Sequence, residues 1–144
     1  MTARTTLTKE IQFDAGHRVP AHTSKCAHPH GHRYRVVVEA EGPVPESGMV
    51  VDFGVLKQWM MEEIHDRYDH AMMCGNTDHE LAEAMANNGW RYELVPHPPT
   101  AENLAAVFYD HIQWRAQEQP ELRIVSVTVW ETPTSSATYH VGQE

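Results

Sequence analysis

The chain is short of cysteine, of long apolar runs and of positive charge, and each shortage removes a class of protein. Cys26 and Cys74 are the only two cysteines in 144 residues and stand in unlike contexts, so no disulfide framework is implied. No apolar stretch approaches the length of a membrane span, and the N-terminal residues lack the apolar region of a secretory leader. The expected setting is therefore a reducing cytoplasm, without a membrane partner. Lysine and arginine total 11 against 20 aspartates and glutamates, a net charge of -9 that argues against nucleic acid as the main partner. No internal repeat or low-complexity segment is visible. A chain of this length can bury a real core, and residues 1–144 read as one domain.

Histidine is abundant, with 11 copies that are dispersed rather than clustered as a tag. His30 and His32 flank Gly31, and in a strand side chains two residues apart share a face, so both imidazoles can grip one ion. His17, at the end of an earlier strand-like run, would be a third ligand. Three imidazoles with a fourth position open match a catalytic zinc site better than a structural one, which closes with four protein ligands. The competing reading is ordinary histidines hydrogen-bonded at strand ends, and the spaced pair plus a third makes the metal the better one. His22 and His28 lie close by, but Pro29 breaks the strand parity that His28 would need.

Cys26 sits in a polar loop beside Lys25 and near the expected metal, surroundings that favour thiolate. It could instead be a small buried hydrophobe, as Cys74 is expected to be. Between Arg18 and Arg35 the chain carries four basic residues (Arg18, Lys25, Arg33, Arg35), four histidines and no acid. That stretch fits either a site for a small anion or a solvated cationic edge strand. Asp69-His70 can form a relay in which the carboxylate orients the ring, a weak signal on its own. Glu131, at the end of the most apolar strand, could accept two parallel hydrogen bonds from an amidine-like edge, although a solvated strand end is the plainer reading.

Alternating runs predict strands over Thr5–Phe13, His32–Glu41, Leu122–Trp130 and Ser136–Val141, with a shorter one over Trp90–Val95. Asp52 is placed to cap a helix running from Phe53 to near Tyr68, with Leu56, Trp59, Met60 and Ile64 on its apolar face. A short helix is expected over His79–Ala86. Thr100 opens a second long helix with Leu104, Val107, Phe108, Ile112 and Trp114 on its apolar face, ended by Pro120. The result is an α+β domain: a four-stranded antiparallel sheet with helices on one face. Small residues at Ala15 and Gly16 are expected to let the backbone pass close to a ligand.

Six segments in order resemble the 6-pyruvoyltetrahydropterin and 6-carboxytetrahydropterin synthase family. They are Phe13-Asp14-Ala15-Gly16-His17, Cys26 through His30-Gly31-His32, Gly48 through Asp52-Phe53, Tyr68-Asp69-His70, Pro99-Thr100-Ala101-Glu102-Asn103 and Val127 through Glu131-Thr132. The resemblance implies the tunnelling fold, in which subunits join their sheets into a barrel as homo-oligomers, trimers or hexamers, with active sites between subunits. It implies Zn2+ on His17, His30 and His32, Cys26 as general base and Asp69 with His70 as relay. It further implies Glu131 as pterin anchor, helped by Thr100 and Glu102, and a pterin triphosphate, 7,8-dihydroneopterin triphosphate, as substrate.

Only three residues separate Cys26 from His30, the short spacing of the bacterial 6-carboxy branch, a carbon–carbon lyase on the route to 7-deazaguanines and queuosine. The alternatives are the pyruvoyl-forming branch and a non-catalytic pterin- or zinc-binding relative. A zinc hydrolase is disfavoured because no carboxylate adjoins the ligand motif in sequence. Gly16, Arg33 and a long stretch from Ala71 to Pro98 depart from the family pattern.

Overall fold

A computed structural model describes residues 3–142. Its centre is a pair of long antiparallel strands, β1 (Thr5–His17) and β2 (His30–Gly42), followed by a helical run. That run comprises α1 (Phe53–Met60), a π-helical stretch (Met61–His65) and α2 (Asp66–Tyr68). Next come β3 (Met72–Gly75), α3 (His79–Asn87) and β4 (Tyr92–Val95). The chain ends with α4 (Ala101–Ala116), β5 (Arg123–Thr132) and β6 (Ser135–His140).

The strands form one six-stranded sheet in the order β4-β3-β1-β2-β5-β6. β3 pairs parallel to the end of β1, and β4 pairs parallel to β3. The sheet is thus mixed and six-stranded, where the sequence suggests four antiparallel strands. The unforeseen strand is β3. Its four residues, Met72, Met73, Cys74 and Gly75, are too few for a period-2 pattern, and Met73 to Gly75 are all buried, so nothing alternates. Gly16 belongs to that junction: a Cβ there would come within 2.9 Å of the Met72 side chain and 3.3 Å of the His30 carbonyl. Its small size serves strand packing, and with Ala15 it also borders a cavity of about 740 Å³.

Helix starts follow their caps. The Asp52 carboxylate accepts from the Gly54 N–H at 2.7 Å, and Asp78 and Thr100 cap α3 and α4 in the same way. Leu56, Trp59, Met60 and Ile64 from the first helical run, with Leu104, Val107, Phe108 and Ile112 from α4, are buried with Ile11, Phe13, Tyr34, Val36, Val38, Val127 and Val129 of the sheet. Trp114 departs from the expected apolar face: it is 63% exposed. The opposite sheet face carries Glu10, Gln12, Asp14, Arg33, Arg35 and Glu39. Among the described residues, no helix is long and apolar enough to cross a membrane.

Candidate metal centre and active site

The β1–β2 register sets His17 opposite His30 and Ala15 opposite His32. Facing side chains on paired strands stand about 5 Å apart, so the register alone brings His17 to His30. Alternation along β2 puts His32 on the same face. Glu131 reaches that face by the same rule, two residues beyond Val129, where the β5–β6 pairing shifts register between Trp130 and Thr132.

The four side chains converge. His17 Nε2 lies 3.1 Å from His30 Nε2 and 3.0 Å from Glu131 Oε1, which is 2.9 Å from His32 Nε2. One ligand atom from each residue falls within 4.8 Å of the others.

The protons of two rings are fixed by backbone carbonyls. His17 Nδ1 is 2.7 Å from the Pro99 carbonyl oxygen, and His30 Nδ1 is 2.7 Å from that of His28. A carbonyl only accepts, so each Nδ1 carries the hydrogen and each neutral ring turns a bare Nε2 lone pair inward. His32 Nε2 is buried and makes no hydrogen bond although Glu131 lies beside it. Burial lowers the His32 pKa more than the Glu131 charge raises it, with His17 and His30 adding to the lowering, so this ring too favours its neutral form. Two inward lone pairs and a carboxylate oxygen, with the buried, unpartnered His32 Nε2 beside them, are poorly compensated unless a cation lies among them. The residues fit a divalent metal ion.

Cys26 is half-buried in a single helical turn, Lys25–Ala27, and the Val19 N–H donates to its carbonyl at 2.8 Å. It lines a cleft of about 450 Å³ with Lys25, His30, His32 and Glu131. Cys74 lies buried on β3, where burial pushes its thiol up to about 11. The two cysteines thus have the contrasting surroundings that the sequence suggests.

Asp69 and His70 form a second corner. The Asp14 N–H donates to Asp69 Oδ1 at 3.0 Å, and Asp69 Oδ2 lies 2.8 Å from His70 Nδ1. His70 holds a left-handed φ of 60°, uncommon outside glycine, while its N–H donates to the Asp14 carbonyl at 2.6 Å. The Asp14 N–H draws the Asp69 pKa below the usual carboxylate range against partial burial, and His70 draws it lower still. The His70 side chain is 76% exposed and lines a cavity of about 740 Å³ with Asp14, Arg33, Met72 and Trp90. His32 borders both cavities, but Cys26 and His70 of one chain open into different ones.

The other candidates separate. Thr100 Oγ1 accepts from the Asn103 N–H at 3.2 Å as the α4 cap, and Glu102 is exposed in the first turn, so neither joins the histidine cluster. Glu131, expected at the substrate ring, stands among the imidazoles. A carboxylate therefore adjoins the ligand motif in space although none does in sequence. β2 is interior, which overturns the cationic edge strand. Arg18 is held bidentate by Asp78 and Arg33 by Asp14, while Arg35 lies over the Trp130 ring at 4.7 Å. Lys25 is the basic residue of that stretch on the wall of the cysteine cleft. The groups missed in the sequence are the Pro99 and His28 carbonyls, which have no side-chain signature, and the buried Tyr34 hydroxyl, which has no hydrogen-bond partner.

Residues 6–141 match the family described as 6-pyruvoyl tetrahydropterin synthase. The chain belongs to this family. It is 33% identical over 129 residues to a 6-carboxy-5,6,7,8-tetrahydropterin synthase of Rickettsia bellii, covering 88% of this chain and 93% of the relative. A protein of the same name from Haemophilus influenzae is 34% identical over 140 residues, covering 92% and 96%. An uncharacterized protein of Wolinella succinogenes shares the fold with a TM-score of 0.83 at 24% identity, covering 96% of this chain and 99% of that one. The 6-pyruvoyl tetrahydropterin synthase of Caenorhabditis elegans does so with a TM-score of 0.73 at 24% identity, covering 98% of each chain.

Proposed function

We propose that the protein is a zinc-dependent 6-carboxy-5,6,7,8-tetrahydropterin synthase. It would convert 7,8-dihydroneopterin triphosphate and water to 6-carboxytetrahydropterin, acetaldehyde and triphosphate, in the cytoplasm, toward 7-deazaguanines such as the queuosine precursor. The observation that carries this reading is the cluster of His17, His30, His32 and Glu131 with a thiol on the wall of the same cleft. Its support is a chain about one-third identical, over most of its length, to proteins of that name.

Bound at the cluster, zinc would polarise the substrate's side-chain oxygens and acidify the neighbouring C–H bonds. Cys26, as thiolate, takes a proton from one of those carbons. His70 exchanges a proton with a side-chain hydroxyl through Nε2, because Asp69 occupies Nδ1 and fixes the tautomer. Glu131 accepts the amino and ring N–H donors of the pterin edge. Thr100 and Glu102, at the start of α4, help Glu131 bind the ring, and Lys25, on the wall of the cysteine cleft, is a cation for the triphosphate.

Cys26 and His70 open into different cavities of one chain, so this reading includes a homo-oligomer, a trimer or hexamer, in which one subunit's His70 meets another's Cys26. The edges of β4 and β6 and the polar sheet face are the surfaces available for joining sheets into a barrel.

The second reading, pyruvoyl formation, is favoured by the family description and the Caenorhabditis elegans likeness. The short Cys26–His30 spacing and the names of the more similar relatives favour carboxy formation. Product masses decide between them. A 6-carboxypterin with stoichiometric acetaldehyde supports the proposal, and a 6-pyruvoyl product without acetaldehyde moves the protein to the other branch.

A further inference from the structure

We propose that Asn103 and Gly75 are positioning residues for the candidate metal ligand His17, acting through the Pro98–Pro99 backbone that both of them hold. Neither is one of the four cluster residues. The effect on zinc, though not the hold on the His17 ring, rests on the metal reading above.

The first argument is where the support of each ring comes from. His30 takes its carbonyl from His28, two residues earlier, while His32 Nε2, 2.9 Å from Glu131, has no tautomer fixed by such a bond. His17 takes its carbonyl from Pro99, 82 residues away in sequence, at 2.7 Å. The ring is buried, so solvent does not replace that acceptor if it moves. A carbonyl that accepts from Nδ1 fixes the tautomer and the plane of the ring, and with them the aim of the Nε2 lone pair.

The second argument is how Pro99 is held. Pro98 and Pro99 have no N–H, so neither can anchor itself by donating from its own backbone. The Pro98 carbonyl accepts from the Thr100 N–H at 2.8 Å and from the Asn103 side-chain amide at 3.0 Å. That amide reaches back from the first turn of α4 and ties the prolines to the helix. A further support comes from β3. A Cβ on Gly75 would stand 3.3 Å from the His97 carbonyl oxygen, 3.3 Å from Pro98 Cα and 3.5 Å from Pro99 Cδ. Glycine allows this close approach, and an added methyl would press on backbone rather than on a flexible side chain.

The third argument is that β3 is itself tied to His17. Met73 is the strand partner of His17, and Gly75 lies two residues beyond it. Arg18, next to His17, grips Asp78 three residues past Gly75. The contacts close on themselves: β1 holds β3, β3 meets the prolines, α4 holds the prolines, and Pro99 returns to His17.

The test uses zinc alone as the probe and reads the His17 ring directly. The ring proton and nitrogen resonances are recorded by NMR for the metal-free wild type, Asn103→Ala and Gly75→Ala. Zinc affinity is measured by chelator competition in these proteins and in the double variant. Asn103→Ala keeps the Thr100 cap, which uses the Asn103 backbone N–H, so the start of α4 survives in it whether or not Gly75→Ala folds.

In the wild type we expect a His17 Nδ1–H proton protected from exchange and shifted downfield by its carbonyl. In each single variant that proton should exchange faster, and zinc should bind about tenfold more weakly, the low end for lost support of a ligand. The double variant should lose less than the product of the single losses, because both changes act through one carbonyl. A folded Asn103→Ala with the wild-type His17 signal and zinc affinity would overturn the proposal. Weaker zinc binding with an unchanged His17 signal would overturn the route through Pro99. If the wild type binds no zinc, the metal reading falls, while the His17 proton in the metal-free proteins still decides the hold on the ring.

Discussion

The two chemical corners of this molecule are built differently. The histidine corner is made by strands: an antiparallel register sets His17 against His30, and alternation adds His32 and Glu131. The Asp69–His70 corner is made by a chain reversal after α2, with a left-handed His70 and two hydrogen bonds to the Asp14 backbone. Alternation along β2 fixes His30 and His32 by a rule that needs no neighbours, and strand pairing adds His17 and Glu131, whereas the reversal depends on where β1 passes. One corner is preorganised by its register and the other is held by a few polar contacts.

The largest effect should come from breaking the strand corner. His30→Ala removes one ligand, and we expect metal affinity to fall by more than about a hundredfold with loss of turnover, checked by metal content after dialysis. Retention of one metal per chain would show that the cluster does not depend on His30.

Breaking the other corner should leave the metal in place. Asp69→Asn should reduce kcat by about 10²–10⁴ while metal content stays at the wild-type level, because only the tautomer and aim of His70 are lost. Simultaneous loss of metal would show that the two corners are not independent. Acid should act on this corner too. The Asp69 and Asp14 pKa values are lowered in the fold, Asp69 first by the Asp14 N–H and Asp14 first by Arg33. Their contribution to stability is therefore full above the ordinary aspartate range, about pH 4, and is lost as pH falls through the folded values. In Asp69→Asn, the slope of stability against pH below about 4 should be shallower, as read by denaturant titration.

The difference between the corners also explains what could be read from the sequence. The His30-Gly31-His32 spacing states its own geometry, so the candidate metal ligands on β2 were legible at once. The strands were legible only in their alternating parts: β1 was expected to end at Phe13, yet it continues to His17, and β2 begins at His30 rather than His32. Glu131 could be placed at a strand end but not among the histidines, because that requires the β2–β5 pairing. β3 was hidden because parallel pairing and full burial erase alternation. Thr100 was recognised as a helix cap, and the structure shows that this is what its hydroxyl does. Local pattern offered Cys26 as a candidate thiolate and Asp69-His70 as a weak relay signal, and the family resemblance is what implied general base and relay for them.

A smaller effect concerns the support between the corners. Arg18 follows His17 of the cluster and clamps Asp78 at the start of α3, with both side chains largely buried. Arg18→Ala should destabilise the fold by roughly 1.5–3 kcal/mol, measured by urea unfolding, with metal stoichiometry unchanged. An unchanged midpoint would show that the pair is solvated.

The smallest effect is expected at Tyr34. Its hydroxyl is buried without a partner beside the histidine corner, and its ring stacks on Phe13 at 5.4 Å. Tyr34→Phe should leave metal-free stability unchanged or raise it by up to about 1 kcal/mol, because an unsatisfied hydroxyl is removed and the ring is kept. A clear loss would reveal a partner for that hydroxyl.

The account turns on the division of labour between a metal held by strands and the thiol beside it. The measurement that tests this most directly sets zinc stoichiometry beside acetaldehyde release from 7,8-dihydroneopterin triphosphate, in the wild type and in Cys26→Ala. We predict one zinc per chain in both proteins, with acetaldehyde from the wild type and about a thousandfold less from the variant. Equal acetaldehyde from both, or none from the zinc-loaded wild type, would contradict the account.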